Sequence, residues 1–122
     1  MVEITTTFHP KTRTQWRTWL QKNHATKKEI WLVRYKKVTG KQTVSYQDSV
    51  DEALCFGWID GMEKGVDAER YATRFTPRRA KSAWTTTNVA RYKTLVKVGL
   101  MMPAGSTAFR QKAKVYIWKN GK

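Results

Sequence analysis

Between Gly57 and Asn88 the sequence gathers side chains suited to holding an anion. Trp58 and Asp60 stand two residues apart. Arg74 follows, then Arg78, Arg79, Lys81 and Ser82, then Trp84 and Asn88. On a regular strand Trp58 and Asp60 share a face, and Arg74 on the adjoining strand is placed to reach Asp60. Guanidinium groups bind oxyanions through paired N–H donors, and the open amides of a helix start add partial positive charge. Trp58, Asp60, Arg74, Arg78, Ser82, Trp84 and Asn88 therefore form a candidate pocket for a phosphate or carboxylate. A structural reading uses the same residues: Asp60 and Arg74 brace a hairpin as an ion pair, and Trp58 and Trp84 fill the core. Sequence leaves both open. A third reading makes Asp60 the acid or base of an enzyme in that pocket.

Other reactive side chains are few. Cys55, the one cysteine, needs a nearby base to serve as a nucleophile, and the two histidines, His9 and His24, sit in no catalytic motif. A small buried residue near the end of an apolar helix is the expected role for Cys55. One Cys and two scattered His make no zinc signature. Phosphate-binding Gly-rich loops and a nucleophile elbow are missing too. Neither a metal nor a cofactor is expected.

Charge is unevenly distributed. The chain of 122 residues carries a net +15; residues 1–69 hold eleven Lys/Arg and all nine Asp/Glu, while residues 70–122 hold thirteen Lys/Arg and no acid. Such a segment repels itself unless an anion offsets it. The expected partner is an anionic small molecule or an acidic protein surface. The alternative is nucleic acid, bound through Arg78, Arg79, Lys81, Arg91, Lys93 and Lys97. In that reading Tyr92, Tyr116 and Trp118, interleaved with Lys93, Lys114 and Lys119, stack on bases. The competing view is a solvated surface around core aromatics. The lone cysteine, the polar start MVEITTTFHPKTR and the short longest apolar run, residues 98–104, point to a cytoplasmic chain with no membrane span.

These residues must be positioned by a scaffold the size of one domain, residues 1–122. Helical spacing over residues 13–23 puts Trp16, Trp19 and Leu20 on one face, with Thr12 and Gln15 as a capping box. Residues 29–37 (EIWLVRYKK) read as a strand covered on both sides, and 42–45 as a short pairing strand. Ser45 starts a second helix over 46–56, ended by Gly57. Residues 58–65 and 70–75 form a hairpin, and TPRRAKSAW is a basic loop. A third helix spans 86–98 with Thr85 as its cap and Val89, Tyr92 and Val96 inward, and a fourth runs from Pro103 to about residue 114. Strands and helices mix without regular alternation, which predicts an α+β fold: a small, mainly antiparallel sheet packed with about four helices.

The strings ALCFGWIDG (residues 53–61), RFTPRRAKSAW (74–84) with Asn88, and GLMMPAG (99–105) resemble the YdeI/OmpD-associated bacteriocin-protection family. WLVRYKKVTGK (31–41) and WRTWLQKNH (16–24) are similar to it as well. The resemblance implies a small bacterial protein linked to tolerance of bacteriocins or cationic antimicrobial peptides, and it carries over no catalytic residue. Where similar proteins read S-x-W-S, this chain has Ser82-Ala83-Trp84-Thr85, which keeps a hydroxyl at the cap. Many similar proteins also continue into a further helical segment beyond the position of Ala113, whereas this sequence ends at Lys122.

Overall fold

The helix starts form where a hydroxyl meets an open amide. In the computed structural model, which describes residues 3–117, helix α1 (Arg13–Asn23) begins with Gln15 N–H donating to Thr12 Oγ1 at 3.1 Å. The return bond of the expected capping box is displaced by one residue. Gln15 Oε1 accepts from Lys11 N–H (2.7 Å), not from Thr12. Helix α2 (Tyr46–Cys55) starts at Ser45, whose Oγ accepts from Asp48 N–H (3.1 Å), and α3 (Thr86–Lys97) starts at Thr85, whose Oγ1 accepts from Asn88 N–H (3.0 Å). Helix α4 (Pro103–Arg110) has Pro103 in its first turn, where a missing N–H costs nothing.

The main sheet has the order β1-β2-β4-β3, with β1 Thr7–Phe8, β2 Ile30–Tyr35, β3 Trp58–Gly65 and β4 Arg70–Pro77. β1 runs parallel to β2, and the other pairs are antiparallel. The fold is α+β, as the mixed pattern predicts. The expected strand over residues 42–45 does not form. β2 already has β1 on one edge and β4 on the other, and Tyr35 N–H donates instead to the Thr43 side chain at 3.2 Å. A second feature departs from expectation. α4 ends at Arg110, and the chain then enters a two-stranded parallel sheet of β5 (Ala83–Thr85) and β6 (Lys114–Tyr116). Lys81 N–H donates to Gln111 O and Ala113 N–H to Ser82 O, each at 2.8 Å. Those bonds order the end of the basic loop and place Trp84 opposite Val115.

The principal core joins Trp16 and Leu20 of α1, Ile30 and Leu32 of β2, Leu54 of α2, Trp58, Phe75, Trp84 and Leu95. A smaller cluster of Trp31, Val33 and Ala72, with Ile4 against it, forms from the alternate residues of β2 and β4. On α3 the inward stripe is Val89, Tyr92 and Leu95; Val96 is 48% exposed, so the expected inward Val96 is corrected to its neighbour. Gly57 takes a left-handed turn (φ +75°) after α2, and a Cβ there would lie 2.9 Å from Ala104 O. Gly105 lets α4 settle on the end of α2, where a Cβ would meet Cys55 O at 2.5 Å and Leu54 O at 2.7 Å.

Fully buried Glu52 ties α1 to α2. It accepts from Arg13 Nε and from Arg17 Nη1 (2.7 Å), while Arg17 Nη2 donates to Leu100 O (2.9 Å) beyond α3.

Candidate functional site

A cleft of about 570 Å³ opens between the start of α2, β3, the segment after β4, β5 and the start of α3. Its polar lining includes Tyr46, Asp60, Arg78, Asn88, Arg91 and Tyr116, and Val50 and Ile59 supply apolar wall.

Arg78 is set by its backbone. Its N–H donates to Gly57 O at 2.8 Å, extending the β3–β4 pairing by one residue. The guanidinium lies 4.2 Å from the centre of the Trp84 ring, a cation–π geometry favoured when water is displaced. Burial depresses the Arg78 pKa to about 10, against the opposing pull of Asp60 and then Tyr116, so the group stays charged at neutral pH. Its Nε is buried without a hydrogen-bond partner. Among the described residues, Arg78 enters no ion pair.

In the same cleft, Tyr46 Oη–H donates to Asp60 Oδ2 at 2.7 Å. Burial and then the Asp60 carboxylate push the Tyr46 phenol up to about 12. The Tyr46 ring also packs on the Arg34 guanidinium (5.3 Å), which Tyr71 covers from another side (4.7 Å). Arg91 differs from Arg78, because its Nη1 donates to Gln47 Oε1 and Asp51 Oδ1, both at 2.7 Å.

Of the seven residues singled out in the sequence, Asp60, Arg78 and Asn88 line the cleft, and Trp84 is the platform beneath Arg78. Trp58 is sealed in the core with Nε1–H donating to His24 O (3.3 Å) and Trp19 set edge-on against it. Trp58 does not share a cleft-facing side with Asp60, and β3 is irregular just beyond, between Asp60 and Glu63. The Asp60–Arg74 pair does not form. Asp60 stands opposite Phe75 in the ladder, and Arg74 Nε donates to Glu29 Oε2. Ser82 contributes its carbonyl to Ala113 and does not line the cleft.

Of the residues named for nucleic acid, Arg79, Lys81, Lys93 and Lys97 are exposed, while Arg91 is held by Asp51. Tyr92 has one ring face stacked on Phe109, with centroids 4.0 Å apart, and its hydroxyl meets Ser106 at 3.1 Å. Trp118 and Lys119 lie outside the described residues.

Tyr46, Gln47 and Thr87 are cleft residues that the sequence reading missed. Tyr46 carried a signal: it is a large aromatic in the first turn of a helix, where core packing does not require one. Tyr116, read from the sequence as a base-stacking aromatic, lies in the cleft lining instead.

Burial raises the Cys55 thiol to about 11, the state of an inert core thiol. Among the described residues no group of His, Cys, Asp and Glu could hold a metal ion, and no helix is long and apolar enough to cross a membrane.

A family model described as "Domain of unknown function (DUF8412)" matches residues 8–108, and the chain belongs to that family. No curated protein and no solved structure matches the chain.

Proposed function

We propose that the chain is a non-enzymatic, cytoplasmic binding domain of the stress- or bacteriocin-protection type, whose cleft holds an anionic ligand. One observation carries the reading. Arg78 is a charged, largely desolvated guanidinium fixed on Trp84, with a buried Nε left without a partner and no carboxylate paired to it among the described residues. Leaving such a group unmatched costs more than leaving an exposed lysine unmatched. An oxyanion arriving in the cleft supplies the partner, and the first turn of α3, at Thr87 and Asn88, adds amide dipoles beside it. The resemblance to bacteriocin-protection proteins supplies the protective role in this proposal.

The test is thermal stabilisation by inorganic phosphate and by acetate. A ligand at about 100 times its Kd stabilises by roughly 2.7 kcal/mol. Arg78→Gln abolishes that gain in this reading, and Arg79→Gln, on the exposed loop, retains it. Equal stabilisation of wild type and Arg78→Gln removes the cleft from the proposal.

A second reading rests on Arg79, Lys81, Lys93 and Lys97, four exposed cations in no ion pair among the described residues. Lys93 and Lys97 stand four apart on α3 and share a face. If they follow a phosphate backbone, duplex DNA affinity falls with salt at a log–log slope of roughly −0.9 per phosphate. A gel shift missing at low salt ends that reading.

A further inference from the structure

The cleft presents two opposite charges, and the more unusual is the negative one. In a chain of net charge +15, carboxylates are scarce and most are taken. Glu29, Asp48, Asp51, Glu52, Glu63, Asp67 and Glu69 all sit in ion pairs with Arg or Lys. Asp60 enters no ion pair among the described residues, although it shares a cleft with Arg78. Its neighbour is a neutral phenol, Tyr46, which occupies one carboxylate oxygen.

The strand register explains why the two charges stay apart. Arg78 N–H is bonded to Gly57 O, while Asp60 stands opposite Phe75. Three strand residues therefore separate their backbones, about 10 Å at 3.3 Å per residue. Arg78 is further held down on Trp84. The two charges feel one another through the cleft without forming an ion pair. The remaining cation of the lining, Arg91, is matched by Asp51. A cleft with one unmatched cation and one unmatched anion among the described residues has little net attraction for a polyanion. It is complementary to a molecule carrying one charge of each sign. Tyr46, Val50, Ile59 and Tyr116 give that molecule an apolar and aromatic wall.

We propose that the cleft recognises a small zwitterion with an apolar or aromatic body, of the amino-acid or short-peptide class: its carboxylate at Arg78, its ammonium at Asp60 and its side chain against Tyr46 and Tyr116. This rests on the anion-binding reading of Arg78 and narrows it. Asp60 is then the residue that selects against simple anions, because it repels any ligand lacking a positive group.

The experiment is calorimetric titration of the whole chain with L-phenylalanine, N-acetyl-L-phenylalanine, L-phenylalaninamide and inorganic phosphate. The free amino acid binds at least about tenfold more tightly than either blocked form or phosphate. Asp60→Asn, which can still accept from Tyr46, brings the amino acid and its N-acetyl form to within about threefold of each other. Arg78→Gln, checked for native circular dichroism, loses both. If wild type binds phosphate or N-acetyl-phenylalanine as well as the free amino acid, and Arg78→Gln loses them, the zwitterion inference is wrong and anion binding stands. No binding of any probe at millimolar concentration overturns both. Because the decisive comparison is among ligands of the wild-type chain, it holds even if a variant fails to fold.

Discussion

Replacing Glu52 by Gln keeps the side-chain volume, removes the charge and turns one acceptor oxygen into a donor group. Two arginines depend on that carboxylate: Arg17 through Nη1 at 2.7 Å and Arg13 through Nε. One of them then faces an N–H₂ group. Breaking a buried ion pair from one side costs about 3–5 kcal/mol. Two features lower that figure here. The Arg13 and Arg17 side chains remain 32% and 20% exposed, so water reaches the stranded charges, and Arg13 keeps Asp48 at 3.0 Å. The expected loss is therefore about 2–3 kcal/mol, and the melting temperature falls by roughly 8–12 °C for a chain of this size. Urea unfolding followed by tryptophan fluorescence measures it, with an unchanged m value showing that only stability moved. Arg17→Met combined with Glu52→Leu should be less destabilised than the two single changes summed, because the pair is removed as a unit. A Glu52→Gln loss under about 0.5 kcal/mol, or strict additivity in that cycle, would show that Glu52 does not hold α1 to α2.

Gly105→Ala drives a methyl group into the carbonyls of Cys55 and Leu54; destabilisation by roughly 2–3 kcal/mol is expected in the same urea assay. Cys55, with its thiol near 11, is about one part in a thousand thiolate at pH 8 even before burial blocks access. A chromogenic disulfide reagent should therefore react with it only once urea unfolds the chain. The Tyr46 phenol is held protonated in the fold, with a pKa of about 12 against 10 when unfolded. Its contribution to stability is complete below pH 10 and declines as pH rises through about 12. Titration at alkaline pH, read by phenolate absorbance, should show one late tyrosine that Tyr46→Phe removes.

The scaffold was more legible than the site. Hydroxyl caps at Thr12, Ser45 and Thr85 mark helix starts because the cap is a local bond, complete within four residues. The β3–β4 hairpin is likewise set by neighbouring segments. What sequence could not supply was register. Assigning Arg74 to Asp60 requires knowing which residues stand opposite each other, and the ladder sets Asp60 against Phe75. The β5–β6 sheet was hidden because its strands are three residues each, too short for any periodicity, and twenty-eight residues lie between them. Trp58 was ambiguous for another reason. Large aromatics serve both cores and ligand sites, and only the packing of Trp19 against it shows which.

The imbalance between the two halves of the chain acquires a physical meaning in the cleft. All nine carboxylates precede residue 70, and those that reach the basic half go to Arg70, Arg74 and Arg91. Arg70 and Arg74 thereby become part of the sheet, and Arg91 ties α3 to α2. Arg78 is treated differently: it is bonded through its backbone, stacked on an indole and left without a carboxylate, while Asp60 is close enough to influence its charge. Moving Asp60 onto Arg78 would satisfy both groups, yet the β3–β4 register and the Tyr46 hydroxyl hold it elsewhere. Closing that pair would match both charges, with desolvation offsetting part of the Coulombic gain. Both charges stay in one open cleft without pairing, and in the proposed reading a ligand matches them.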